Sequence, residues 1–293
     1  MSWTSIADLL TWDTSPPVAL LGAPMEAGSV TPGRCDLAPD AVRRAMQRIS
    51  TYDLVERLEI ETPVRDAGDM AVQGLMPADG FAIIQNGISS LTARHALTLV
   101  LGGNNAVTRP AAHSLGLPLD RIGLVTLDAH FDMRETDHGP LNGNPVRCLL
   151  EDGLPGANIC QIGLAPFANT RKMHEDALAA GIGIFDLEFV LTEGIEAAID
   201  DALERLSHVE AILVDFDIDV IDRGQFPGAP GARPGGLPVW DFFRAARRLA
   251  EEERVRLVDL TEFDPFLDAS DLSALTAARW VAEILAGFGK RAP

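Results

Sequence analysis

The sequence predicts an α/β fold with a central, mostly parallel sheet covered by helices on both faces, and three observations lead there. Short apolar runs closed by turn residues alternate with segments of helical spacing along the whole chain, the pattern of strand-helix units that build a parallel sheet. Polar, ligand-type residues cluster where several of those apolar runs end, and in such sheets ligands sit outside the carboxyl ends of the strands. No Pro/Gly/Ser linker, charge block or composition shift divides the 293 residues, 47% of them hydrophobic. Residues 1–293 therefore read as one domain with a sizeable core.

In chain order, the apolar run Val18 to Pro24 reads as a first buried strand with a loop from Met25 to Gly33 at its end. Asp40 to Ile49 has helical spacing, with Ala41, Val42, Ala45 and Met46 on one face. Gly80 to Ala96 reads as a helix leading into a strand from Leu97 and a glycine turn, Gly102-Gly-Asn104-Asn105. Pro110 to Ser114 continues as helix before a strand from Ile122. Arg134 to Pro145 is polar and Gly/Pro/Asn-rich, a loop over the site. Helix from Val146, strand from Ile159, helix from Thr170 to Ala180 and strand from Ile182 to Phe185 follow. Ile195 to Leu206 is an amphipathic helix feeding a strand from Ala211. Gln225 to Leu237 is a Pro/Gly loop, Trp240 to Glu252 a helix, Val255 to Leu260 a strand ending at Glu262, and Leu272 to Phe288 a terminal helix.

Two of the strands carry the chemistry. The run from Ile122 ends in Asp128, His130 and Asp132, and the run from Ala211 continues into Asp215, Asp217, Asp219 and Asp222. In an extended backbone residues two apart point the same way, so each alternating set is expected to converge just beyond its strand. Taken alone, Asp128 as a helix cap with His130 and Asp132 in a polar loop is the plainer reading. Two such clusters favour cations, because desolvating so many carboxylates together is strongly unfavourable unless they are neutralised. Many carboxylates with one imidazole suit a hard or borderline ion such as Mn2+ over a structural zinc. Two such ions roughly 3.5–4 Å apart generate a nucleophile from water at neutral pH, so the reaction class is metal-assisted hydrolysis.

A net charge of −19 argues against nucleic acid or an anionic membrane surface as a partner. The N-terminal residues have no basic region followed by an apolar run, and no apolar run approaches the roughly 20 residues that span a bilayer. A cytoplasmic protein acting on a small molecule is the expectation. Cys35, Cys148 and Cys160 are too few and too scattered for a disulfide framework.

These motifs, Asp128-Ala-His130-Phe-Asp132, Asp215 to Asp222, Ala229-Pro-Gly with Pro234-Gly-Gly-Leu, and Leu260-Thr-Glu262-Phe-Asp-Pro265, resemble the ureohydrolase superfamily of arginases, agmatinases and formimidoylglutamases, in the same order from about Leu20 onward. The resemblance implies a three-layer α/β/α fold, a binuclear Mn2+ cluster and hydrolysis of a C–N bond in a guanidino or formimino group. By the same resemblance Asp128 and Asp217 would bridge the ions, Asn105 and Asp132 would bind the first, and His130 and Asp219 the second. Glu262 would face the cationic head of the substrate, a charge-assisted pair that the chemistry also asks for. Asp132 and Glu262 are thus the catalytic candidates. Relatives assemble as trimers or hexamers, so a homo-oligomer is expected by analogy.

Two departures from the family pattern sharpen the expectation. The usual Gly-Gly-Asp-His is Gly102-Gly-Asn104-Asn105 here, so the first ion loses an imidazole and that site is expected to be weak. The His proposed as a proton shuttle in arginases and agmatinases is Asn142, in a segment Asn142-Gly-Asn144-Pro-Val-Arg147 that looks like formimidoylglutamase, as do Asp132-Met-Arg134 and Phe167 to Arg171. Arg134, Asn142, Asn144 and Glu262 are the expected substrate contacts, with Arg134 suiting an acidic substrate. Formimidoylglutamate is therefore favoured, a guanidino acid or agmatine-like amine comes second, and a non-catalytic family member with a degenerate metal site is the third reading.

Overall fold

The computed structural model describes residues 4–291. Among them, nine strands form one sheet in which every pairing is parallel. In chain order these are β1 (Leu10–Thr11), β2 (Val18–Ala23), β5 (Val64–Asp69), β6 (Leu97–Gly102), β7 (Ile122–Leu127), β8 (Ile159–Leu164), β9 (Gly183–Asp186), β10 (Ala211–Asp217) and β11 (Val255–Thr261), while β3 (Tyr52–Asp53) and β4 (Leu58–Glu59) make a separate antiparallel hairpin. The spatial order is β1-β5-β2-β6-β11-β10-β7-β8-β9. The central strands are buried throughout, as their unbroken apolar runs predict.

Two apolar clusters, one on each face, make the fold three-layered. One joins the sheet to helices Ala38–Met46, Ile195–Arg205, Val239–Glu251 and Leu272–Phe288. The other joins it to helices Pro77–Thr92, Thr108–His113, Pro145–Asp152 and Arg171–Ala180. Within β7, Leu124 packs to one cluster and Val125 and Leu127 to the other, the two-residue alternation of a strand with both faces covered. No described helix is long and apolar enough to cross a membrane.

Most element boundaries fall within a few residues of the sequence expectation, with informative differences. The helices read from Asp40 and Gly80 begin at Ala38 and Pro77, with Pro39 and Pro77 in their first turns, where proline's fixed φ and missing N–H cost nothing. Strand β5 was not anticipated because Val64-Arg-Asp-Ala-Gly-Asp buries only Val64 fully, and Asp66 within it pairs with Arg43 at 2.9 Å. The helix Leu187–Glu193, capped by Asp186 through the Phe189 N–H, was also missed.

Candidate metal centre

Four adjacent strands, β6, β11, β10 and β7, deliver the site from their carboxyl ends. Asn105 follows β6, Glu262 follows β11, Asp217 ends β10 and Asp128 follows β7. Their parallel pairing in register, Phe216 opposite Leu127 and Asp217 opposite Thr261, brings the ends level. Two glycines permit the close approach. A Cβ on Gly103 would lie 1.9 Å from the Met25 carbonyl oxygen, and one on Gly231 would lie 1.9 Å from Asp219 Oδ2.

The convergence of Asp128, His130 and Asp132 does not come from an extended chain, which corrects the sequence argument. Strand β7 stops at Leu127, and the backbone turns through Asp132 at φ +53°. Asp219 likewise lies in a 3-10 turn, Ile218–Val220, in which Asp217 Oδ1 accepts the Asp219 N–H at 3.0 Å. Glu262 sits at φ +64°. Left-handed backbone at non-glycine residues concentrates where a site needs a side chain re-aimed, and here it turns two carboxylates into the cavity.

The donor atoms fall into two overlapping groups, each with all ligand atoms within 4.8 Å of one another: Asp128, His130 and Asp219, and Asp128, Asp132 and Asp217. Asp128 belongs to both. Its Oδ1 accepts the His130 N–H at 2.7 Å, while its Oδ2 is buried with no hydrogen-bond partner. An orphaned carboxylate oxygen at the junction of two acidic groups is what a cation would satisfy, so these residues fit a pair of divalent ions. His130 Nδ1 lies 3.0 Å from Asp219 Oδ2 and 3.4 Å from Asp128 Oδ1.

The electrostatics carry the same message. The Asp219 charge, opposed by burial and helped by Asp128, pushes the His130 pKa up to about 12. Burial, then Asp219, raises Asp128 to about 7. Asp132 and Asp217 are also raised, first by burial and then by neighbouring carboxylates. Burial alone would raise Asp219, but the His130 imidazolium outweighs it and holds Asp219 low. Without cations the cluster holds protons in their place.

Asn105 is buried beside Asp132, its amide nitrogen donating to Asp132 Oδ2 at 2.6 Å and its carbonyl oxygen accepting the Thr108 hydroxyl at 2.5 Å. In this orientation it presents a donor, rather than a ligand atom, to the acidic cluster. Asn104 supports the loop before it, donating to the Glu26 and Ala27 carbonyls and the Ser29 hydroxyl.

Below the cluster, Asp215 in β10 faces Asp259 in β11, register partners that are both fully buried. Asp215 belongs to neither ligand group. Burial, then Asp259, raises its pKa, and Asp259 is itself raised to about 7 by burial. Both carboxyls are thus driven toward their neutral form, so part of the acidity that suggested cations has another explanation.

Asp132, Asp217, Asp219, His130 and Glu262 open into a cavity of about 100 Å³ that Arg134 and Asn142 also line. Glu262 is 5% exposed, and its Oε1 accepts the Asn105 N–H at 2.7 Å and Asn142 Nδ2 at 2.9 Å. Burial raises its pKa to about 7 against those two hydrogen bonds, which lower it. Arg134 is exposed, its stem against Gly143. Asn144 is not brought to the cavity: it is fully buried, accepts the Leu141 N–H, and donates to the Glu135 and Gly139 carbonyls. It ties the loop that carries Arg134 and Asn142.

Three polar lining residues, Asn169, Thr31 and Arg233, were not named as site residues from the sequence. Asn169 accepts the Phe131 N–H and donates to the Ala129 carbonyl, fixing the turn that carries His130. The segment Phe167 to Arg171, read from the sequence only as a family likeness, was the available signal. Thr31 lies in the predicted Met25 to Gly33 loop, and Arg233 in the Pro/Gly loop.

Known proteins place this geometry in a family. The sequence profile of the arginase family matches residues 16–287. The formimidoylglutamase of Halalkalibacterium halodurans is 30% identical over 274 residues, covering 92% of this chain and 86% of that protein. The crystal structure of formimidoylglutamase from Bacillus subtilis superposes with a TM-score of 0.92 at 26% identity, covering 99% of this chain and 93% of that one. Trypanosoma cruzi formiminoglutamase with Mn2+ shares the fold at a TM-score of 0.91 and 21% identity, covering 99% of this chain and all of that one. The chain belongs to the arginase family.

Proposed function

We propose that this protein is a Mn2+-dependent hydrolase that cleaves formimidoylglutamate. The observation that carries the reading is the charge layout of the cavity, with a buried carboxylate, Glu262, beside the acidic cluster and a cation, Arg134, at the mouth. A substrate with a cationic amidinium head and a carboxylate tail matches both. The formimidoylglutamases of similar sequence and fold support the substrate, and the Mn2+ in the T. cruzi structure supports the ion.

Asp128, Asp132 and Asp217 would hold one ion and Asp128, His130 and Asp219 the other, with Asn105 steadying Asp132. Bound there, the ions supply a Lewis acid and a water-derived nucleophile at neutral pH. The protein does the rest by orientation. Asn105 and Asn142 both hold Glu262 Oε1, which leaves Oε2 to receive the amidinium N–H groups. Water adds to the formimino carbon, the C–N bond to the amino acid breaks, and the amine leaves with a proton, giving formamide and glutamate. Asn142 carries no transferable proton, so Asp132, a carboxylate that lines the cavity, would be the group to pass one.

A Mn2+-supplemented assay that measures glutamate and formamide tests the reading. Their release from formimidoylglutamate, with slower or no urea release from agmatine, is the expected result.

A further inference from the structure

Arg134 is not the only cation at the mouth. Among the described lining residues, Arg134 and Arg233 are the two that carry a guanidinium or ammonium group. Arg233 stands on the Pro/Gly loop after β10, on a different segment from Arg134, and is exposed. Its Nη1 donates to the Gly231 and Ala232 carbonyls at 2.5 and 3.2 Å, while no described contact occupies Nε or Nη2.

The loop is built to hold it still. Arg223 Nη1 donates to the Ala229, Pro230 and Ala232 carbonyls, Asp222 accepts the Gly224 and Gly235 N–H groups, and the Arg223 N–H donates to the Arg233 carbonyl. Gly231 has no room for a side chain against Asp219, so Arg233 is fixed two residues from the acidic floor. A planar guanidinium with one edge tied down and another open presents a fork suited to one carboxylate.

We propose that Arg233 is a specificity-determining residue that binds a second carboxylate, so that Arg134 and Arg233 together select a dicarboxylate over a monocarboxylate substrate. The inference rests on the substrate reading above and deepens it. Amidinium to Glu262 and one carboxylate to Arg134 would leave Arg233 unmatched, whereas a dicarboxylic amino acid uses all three charges. In a chain of net charge −19, two unpaired cations at one opening also draw anions to it.

The test compares formimidoylglutamate with 4-formimidoylaminobutyrate, which keeps one carboxylate, in the wild type, Arg233→Met and Arg233→Lys. Arg233→Met is expected to shrink the preference for the dicarboxylate, as a ratio of kcat/KM, by about tenfold or more, mainly through KM, and Arg233→Lys to recover part of it. A ratio unchanged in Arg233→Met overturns the inference and leaves the proposed reaction standing. If the wild type hydrolyses neither compound, the proposed reaction fails, and calorimetry with Mn2+-loaded protein decides Arg233 separately. Glutarate should then bind the wild type more tightly than Arg233→Met, and equal affinity would remove the role.

Discussion

Asn105 hands its amide N–H to the carboxylate of Asp132 at 2.6 Å while the Thr108 hydroxyl occupies its carbonyl oxygen at 2.5 Å. The residue that follows the glycine turn after β6 is thus turned to hold a neighbouring carboxylate. The donor group that includes Asp132 then offers only carboxylates, whereas the other adds the imidazole of His130. We expect the protein as isolated to carry closer to one Mn2+ than two, with activity rising as Mn2+ is added. Asn105→His should tighten the weaker site. Metal analysis of wild type and variant checks this, and two tight ions in the wild type would count against it.

Asp128→Ala is expected to abolish metal binding and turnover, because its carboxylate belongs to both donor groups and its loss leaves the other buried acids without their common counter-ion. Asp217→Ala should remove the ion it shares with Asp132. Asp222→Ala is the contrast. It accepts the Gly224 and Gly235 N–H groups, so it should loosen the Pro/Gly loop at a cost of about 1 kcal/mol per lost hydrogen bond and keep its metal. Retained metal and rate in Asp128→Ala would contradict the binuclear assignment.

Arg134→Met should cost formimidoylglutamate roughly 1.5–3 kcal/mol of binding, about tenfold or more. Any slow turnover of agmatine, which has no carboxylate, should be spared. Kinetics on both substrates measure it, and an equal loss on agmatine would show that Arg134 only balances the acids beside it.

The pH dependence follows from the protons that the metal-free cluster holds. Asp128, raised to about 7 by burial and Asp219, stabilises the metal-free fold below an unfolded value of about 4 and loses that contribution as pH rises to about 7. His130, raised to about 12 chiefly by Asp219, loses its contribution from about pH 6.5 upward. Asp219, held low, acts oppositely, and its contribution is lost only in acid. The metal-free protein should therefore melt at a lower temperature at about pH 9 than at about pH 6, and Mn2+, which competes with those protons, should raise the melting temperature more at the higher pH. Calorimetry with and without chelator reads both. An Mn2+ effect that shrinks with pH would contradict the assignment.

The sheet and most of the site were legible because each depends on local pattern. Apolar runs marked β6, β7, β10 and β11, and the acids at their ends named Asp128, Asp132, Asp217, Asp219 and Glu262 before any coordinates. What stayed hidden depends on partners far along the chain. Strand β5 owes its place to pairing with β1 and β2 rather than to its own hydrophobicity. The turn at Asp132 is tied by the Arg147 N–H to its carbonyl, and the orientation of Asn105 is set by the Thr108 hydroxyl and Asp132. Asn144 has the residue type of a substrate contact, and only its three bonds within the loop show that it is a tie.

The most direct test of the account is a substrate panel run beside metal stoichiometry: formimidoylglutamate, arginine, agmatine, guanidinobutyrate and guanidinopropionate, with and without added Mn2+. The charge layout of Glu262 and Arg134 predicts Mn2+-dependent release of glutamate from formimidoylglutamate, faster than urea release from any of the others. Faster hydrolysis of agmatine, or no turnover of any of the five in millimolar Mn2+, would contradict it.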